Sequence, residues 1–395
     1  MQDWLTMRAA DLGRGIDAGD IDPADLVETY LAAIAAHPFK DRIFTRVLTD
    51  RARLEAAAAS ERAQSGARKS LLDGVPVTWK DLFDTAGDPC ESGTLMLKGR
   101  VAAKDARVVQ NAAAAGMICL AKTHQTEFAF SGLGANPMTQ SPPNVHDHAA
   151  VSGGSSSGAA ASVAFGLAPV AIGSDTGGSV RIPSVWNDLV GLKTEWGRVS
   201  LEGVIPLCAR FDTVGPLCRS VEDAALMLGV LENGDPRQAY ASPLEGKRFG
   251  ILTTMAFDGI EDAPHAAFKS AVERLRDRGV QFEEIDVPEV AEAGTLSPVL
   301  FPAEAYATWK DEIDAGEGKM YPLVRERFLS GKTVLASDFI AGWQRLDGLR
   351  KIYREKTKDF DAIVLPSAPI GPPKLDAVLY DDACLLYTSP SPRDS

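Results

Sequence analysis

Between residues 106 and 175 the chain twice runs through the same pattern: an alanine-rich helical stretch, a glycine, then a short apolar run. ARVVQNAAAAG is followed by MICLAKT, and SSGAAASVAFG by PVAIGSD. A glycine closing a helix and leading into an apolar run reads as helix-to-strand punctuation. GVPVTWKD, upstream, alternates Val75, Val77 and Trp79 and so predicts a strand that delivers Lys80 at its end. Downstream, RFGILTT, a helix with Phe268, Ala271, Val272 and Leu275 on one face, Gly279 and VQFEEIDVP predict a further β-α-β-like unit. Near the start, DPADLVETYLAAIAAH predicts an amphipathic helix with Asp22 as cap and Pro23 in its first turn. Strands that alternate with helices bury a sheet between helical layers, so the expected class is α/β: a single layered α/β/α domain around a large, mixed, twisted central sheet.

Composition narrows the function. With 395 residues, 45% of them hydrophobic, the chain can bury a substantial core, and a formal charge of -13 without any Lys/Arg cluster argues against direct nucleic-acid binding. No segment offers the roughly eighteen uninterrupted apolar residues a membrane span needs, and MQDWLTMRAADLGRGIDAGD is acidic where a secretory leader would be basic. The expectation is a cytoplasmic protein with no membrane partner. The cysteines at 90, 119, 208, 218 and 384 form no CxxC pair and read as buried thiols, and HDH at 146 to 148 reads as a polar turn; no metal and no cofactor are expected.

Two clusters remain, VSGGSSSGAA at 151 to 160 and GSDTGGSVRIP at 173 to 183. A Gly/Ser run can be a linker, yet the first of these leads straight into a helix. Consecutive glycines let backbone N–H groups turn inward and hold negative charge, either a phosphate or an oxyanion. Neither cluster carries the lysine of GxxxxGK[ST], and the serine of the second follows two glycines and precedes Val180, which is not the spacing of GxSxG. A serine nucleophile without a neighbouring histidine needs another base. A lysine made neutral by burial can serve, and Lys80 is the candidate, unless it is a strand-end lysine paired with Asp81 or Asp84.

Together GVPVTWKD, SGGSSSGAAA, GSDTGGSVRIPS, GLKTEWGRVS and FDTVGP resemble the amidase signature family, from about residue 20 to about 380. The resemblance implies a Ser-Ser-Lys set carried by Lys80, Ser155 and Ser179, whose separations of 75 and 24 residues fit the family layout. It implies Ser179 as nucleophile, Ser155 on a cis peptide as proton relay, Lys80 as base, and the N–H groups of Thr176, Gly177, Gly178 and Ser179 as oxyanion hole. Asp175 and Arg181 are expected to brace the nucleophile loop and Ser156 to support the relay, while Ser157 receives no role. GLKTE in place of GLKPT, and Asn144-Val145 in place of NP, depart from the family away from these positions. The implied activity is hydrolysis of a carboxylic amide, with a small-molecule amide as partner and a homodimer left open. Two alternatives stand beside it. One is the A subunit of a tRNA-dependent amidotransferase, against which ARFDTVGP and AKTHQTEFAFS are set because that subunit usually carries SSLDQIGP-like and GKTNMDEFAMG-like runs; the other is a non-catalytic small-molecule binding protein on the same fold.

Past FDAIVLPSAPIGPP the family pattern stops, and CLLYTSPSPRDS resembles the translation of a transposon-end sequencing adapter with no apolar face to bury. The expected organisation is therefore an amidase signature domain over 1–383, truncated at its C-terminus, followed by a non-native tail over 384–395.

Overall fold

The computed structural model describes residues 2–234 and 242–379. Within these, one compact unit comprises 2–234, 314–325 and 372–379, and a second comprises 242–313 and 326–371. The first holds strands β1 (Phe44–Val47), β2 (Pro76–Lys80), β3 (Ile118–Thr123), β4 (Val170–Asp175), β5 (Val190–Gly191) and β6 (Thr213–Cys218), hydrogen-bonded in the order β1-β3-β2-β4-β6-β5. β3, β2 and β4 run parallel, while β1, β6 and β5 pair antiparallel with their neighbours. The result is the expected mixed α/β sheet. Every residue of β2, β3, β4 and β6 is buried, as strands covered on both faces must be.

Parallel neighbours need a crossover, and the two alanine-rich segments supply it. Helix Arg107–Ala114 joins β2 to β3, and helix Ser157–Ala164 joins β3 to β4. Gly116, just past the first helix, sits at φ +86° against the Asp73 side chain, where a Cβ would come within 2.3 Å; no other residue fits that turn. In the second crossover, Ala159, Ala160 and Val163 pack with Ala171 of β4, Val180 and Leu217 of β6 in one buried cluster. Their small side chains let the helix lie close on the sheet, which brings the serines at its start against the end of β4. At the N-terminal side, helix Pro23–Ala36 begins as expected, with the Asp22 carboxylate accepting the Ala24 N–H at 2.8 Å.

The second unit contains β7 (Arg248–Leu252), β8 (Gln281–Ile285) and β9 (Ala362–Val364), all parallel in the order β8-β7-β9. The β-α-β-like reading of this region holds, with helix Asp262–Arg276 between β7 and β8, but these strands make their own sheet instead of widening the large one. Of the four residues on the expected apolar face only Val272 is fully buried, and Phe268, Ala271 and Leu275 are half-buried. The proposed tail at 384–395, with Cys384, lies outside the described residues.

Candidate active site

The site is built where parallel strands end, the edge of an α/β sheet at which side chains converge. β2 and β4 are parallel neighbours with Trp79 opposite Ile172, so Lys80 and Ser174 both lie at the C-terminal ends of their strands. The Lys80 ammonium donates to Ser155 Oγ at 2.6 Å and to Ser174 Oγ at 2.8 Å. It is fully buried, and burial lowers its pKa from 10.5 to about 7, against the opposing pull of the Asp212 and Asp175 charges. The alternative pairings expected of a strand-end lysine are taken elsewhere: Asp81 binds Lys122 at 3.2 Å and Asp84 binds Arg100 at 2.6 Å.

Ser155 follows a cis peptide at Gly154–Ser155. The Gly154 N–H donates to the Gly132 carbonyl at 2.7 Å, and the Ser155 carbonyl accepts the Thr126 N–H at 3.1 Å. Glycine is required at 154 because a Cβ would meet the Gly134 nitrogen at 2.5 Å and Thr126 Oγ1 at 2.7 Å. Ser156 ties the two clusters together. Its N–H donates to the Ser179 carbonyl at 3.3 Å, and its hydroxyl donates to the Ser174 carbonyl at 3.2 Å while accepting the Ser174 N–H at 3.3 Å. Ser157 opens the helix, and its carbonyl accepts the Ser152 hydroxyl.

Ser179 is 7% exposed on the loop between β4 and helix Arg181–Trp186. Asp175, fully buried, organises that loop. Arg181 grips it through Nε at 3.0 Å and Nη2 at 2.9 Å, and it accepts the N–H groups of Gly178 at 2.7 Å and Val180 at 3.0 Å. Burial raises the Asp175 carboxyl, but Arg181 and these N–H groups outweigh it and hold the pKa at about 2. Of the N–H groups expected to line an oxyanion hole, that of Gly178 donates to Asp175 Oδ1. The N–H groups of Thr176, Gly177 and Ser179 make no backbone hydrogen bond among the described residues.

Two residues of the site carried no role in the sequence reading, Ser174 and Asp212. Ser174 lies beside Asp175 at the end of β4, and its meeting with Lys80 depends on the pairing of β2 with β4, which the sequence does not show. Asp212, within FDTVGP, accepts the Thr176 hydroxyl at 2.5 Å and the N–H groups of Leu207 and Cys208 at 2.9 and 3.0 Å. The HDH triplet lies apart from these residues as a turn: Asn144 Oδ1 accepts the His146 N–H, Asp147 pairs with Lys374, and His148 packs on Phe39 and Phe165. Among the described residues no three His, Cys, Asp or Glu side chains gather as a metal site, and no helix is long and apolar enough to cross a membrane. Cys90, Cys119, Cys208 and Cys218 are buried.

A serine loop braced by a buried carboxylate, next to a lysine that burial can render neutral and two serine hydroxyls that accept its hydrogen bonds, is a site equipped for acyl transfer. The family model described as Amidase matches residues 25–391, and the chain belongs to that family. The A subunit of glutamyl-tRNA(Gln) amidotransferase from Anaeromyxobacter dehalogenans (strain 2CP-C) is 38% identical over 308 residues, which are 75% of this chain and 63% of that protein's length. Its counterpart of the same name in Chloroflexus aurantiacus (strain ATCC 29366 / DSM 635 / J-10-fl) is 32% identical over 93% of this chain and 82% of its own. A crystal structure of an amidase superimposes with a TM-score of 0.86 at 29% identity, covering 97% of this chain and 90% of that one. An inhibitor-bound structure from a vestigial protein complex tied to the origins of an s-triazine catabolic enzyme reaches 0.90 at 28% identity, covering 98% and 89%. The relatives overturn the partner expectation. A small-molecule amide as partner, without direct nucleic-acid binding and with a homodimer left open, does not fit proteins that are named as one subunit of an enzyme of glutamyl-tRNA(Gln).

Proposed function

We propose that this chain is the amide-cleaving subunit of an amidotransferase of the kind its relatives' names describe, releasing ammonia from a carboxylic amide through a Ser179 acyl-enzyme. The observation that carries the chemistry is Lys80 buried on Ser155 Oγ at 2.6 Å, with a pKa near 7. In this reading Ser179 Oγ attacks the amide carbonyl carbon, and its proton passes to Ser155, whose own proton goes to neutral Lys80; a hydroxyl can both accept and donate. The N–H groups of Thr176, Gly177 and Ser179 hold the oxyanion, the contribution usually largest in such sites. Collapse breaks the C–N bond as Lys80 returns the proton through Ser155 to the leaving nitrogen. Water then attacks the ester carbonyl, passing a proton through Ser155 to Lys80, and collapse breaks the ester C–O bond as that proton returns to Ser179 Oγ, freeing the carboxylate.

A fluorophosphonate should label Ser179, and glutamine should yield glutamate and ammonia in equal amounts. An adduct elsewhere, or full glutamine turnover in Ser179→Ala, overturns the mechanism. A second reading, a free-standing amidase, is favoured by ARFDTVGP and AKTHQTEFAFS, which differ from the runs usual in that subunit. Glutamine turnover raised by added partner subunits of a glutamyl-tRNA(Gln) amidotransferase supports the first reading; rapid turnover of aliphatic or aryl amides by this chain alone, with glutamine ignored, supports the second.

A further inference from the structure

Asn187 is buried beside both serine clusters, and the mechanism above gives its side chain no role. It directly follows helix Arg181–Trp186, which begins just after Ser179 and is tied back to the nucleophile loop by the Ile182 N–H on the Gly178 carbonyl at 2.8 Å. Asn187 Nδ2 donates to the Pro183 carbonyl of that helix at 2.8 Å and to the Ser152 carbonyl at 2.7 Å, with Ser152 Oγ at 3.2 Å, and its Oδ1 accepts the Val145 N–H at 3.1 Å. Both amide hydrogens and the carbonyl are thus used. Val145 stands where the family pattern has the proline of NP, and a proline has no N–H to give, so this departure supplies one of the bonds. Capping the helix end accounts for the Pro183 bond alone. The Ser152 bond crosses to the first serine cluster.

The next residue, Gly153, lies against the same helix at φ +80°, where a Cβ would meet Pro183 Cα at 2.8 Å and Trp186 Cε3 at 2.9 Å. The Ser152 hydroxyl donates to the Ser157 carbonyl at 3.1 Å, closing the turn around Ser155. On the other side of Ser155, the Ser156 N–H meets the Ser179 carbonyl at 3.3 Å. The two clusters are therefore clamped at two points, Asn187 on Ser152 and Ser156 on Ser179, with Ser155 between them in the chain. We infer that Asn187 is a positioning residue: through the Ser152 carbonyl it seats the turn that carries Ser155 against the helix that follows Ser179, and so sets the relay hydroxyl relative to the nucleophile. This rests on the proposed role of Ser155 as relay. Proton transfer between hydroxyls needs hydrogen-bond reach, and a displacement of about 1 Å can cost about 100-fold in rate. Without the Asn187 amide, the Ser152 and Pro183 carbonyls lose the donor they share, and nothing else on that side fixes their spacing.

The test is Ser179 labelling by a fluorophosphonate in the full chain, resolved into a binding constant and a limiting rate per folded molecule, for wild type, Asn187→Ala, Ser155→Ala and the double variant. Asn187→Ala should lower the limiting rate about 10- to 100-fold and leave the binding constant in place. A merely structural role lowers the denaturation midpoint while the folded protein labels at the wild-type limiting rate, and that result overturns the inference. The double variant asks whether Asn187 acts through Ser155. Adding Asn187→Ala to Ser155→Ala should slow labelling by no more than about two-fold, because the hydroxyl to be placed is already gone; a further loss as large as in the wild-type background overturns the inference as well. Asn187→Asp keeps the shape and the acceptor for Val145 but, as a carboxylate, has no hydrogen to donate, and the same cycle run with it decides the point where Asn187→Ala fails to fold. Ser155→Ala separates the inference from its foundation. Labelling as fast as wild type there rejects Ser155 as relay and the inference with it, whereas slowed labelling there with Asn187→Ala at the wild-type rate rejects Asn187 alone.

Discussion

Lys80 and Lys122 sit on adjacent parallel strands, with Trp79 opposite Lys122 and Lys80 opposite Thr123, and neither has any exposed surface. They have opposite fates. Lys122 donates to the Phe83 carbonyl at 2.7 Å and pairs with Asp81 at 3.2 Å; burial lowers its pKa, but Asp81 together with Cys90 and Cys119 outweighs burial and the net shift is upward. Lys80 meets two neutral hydroxyls, and with no carboxylate in contact burial wins, bringing it to about 7. Burial therefore does not by itself make a lysine a base. The partner decides, because a direct ion pair restores the charged form while a hydroxyl leaves the amine free to exchange its proton.

The most severe way to separate the two lysines is to remove each. Lys80→Ala should reduce acylation of Ser179 by about 10³-fold or more, with the melting temperature close to wild type, since the loss falls on proton transfer. Lys122→Met should instead cost about 3–5 kcal/mol of stability by stranding Asp81 without its partner, read as a lowered denaturation midpoint. The double variant Lys122→Met/Asp81→Asn should recover part of that loss. If Lys122→Met keeps full stability and loses acylation, the contrast is broken.

Acylation should rise with pH through about 7, because only the neutral Lys80 amine can take a proton and its pKa lies there. A flat profile from about pH 6 to 9, with acylation rate-limiting, contradicts the base assignment. Ser174→Ala removes one of the two hydroxyls that fix the Lys80 amine and should slow acylation by about ten-fold, the worth of one ordinary hydrogen bond.

The smallest effect concerns a third buried charge in the same unit. Glu127 accepts the Thr94 hydroxyl at 2.7 Å and the Tyr321 N–H at 2.8 Å, and burial raises its pKa from 4.5 to about 7 despite both donors. The folded chain thus holds this proton more tightly than the unfolded chain. Its stabilising contribution is complete below about pH 4.5 and is lost as pH rises through about 7. Glu127→Gln should therefore flatten the decline of melting temperature over that interval; an unchanged decline shows that Glu127 does not titrate there.

Much of this was legible in the chain. The alternation of Val75, Val77 and Trp79, the alanine-rich helices closed by Gly116 and Gly166, and the Asp22-Pro23 start depend on neighbours a few residues away, and local sterics and hydrogen bonding are written locally. The two serine clusters were legible as a pair through their composition and their family resemblance. What the chain could not show is which polar groups meet once the strands align. Lys80 finds Ser155 and Ser174 at separations of 75 and 94 residues, and Thr176 finds Asp212 at 36. The family resemblance places the Gly178 N–H among the oxyanion donors, and only the folded loop shows that it donates to Asp175. Sequence determined which elements form, since propensity and periodicity act over one or two turns. Only the tertiary structure decided which of two equally buried lysines is drawn toward neutrality and which is held charged, because that depends on charges brought within a few ångströms by sheet register, and Coulomb and desolvation effects at that range outweigh anything local.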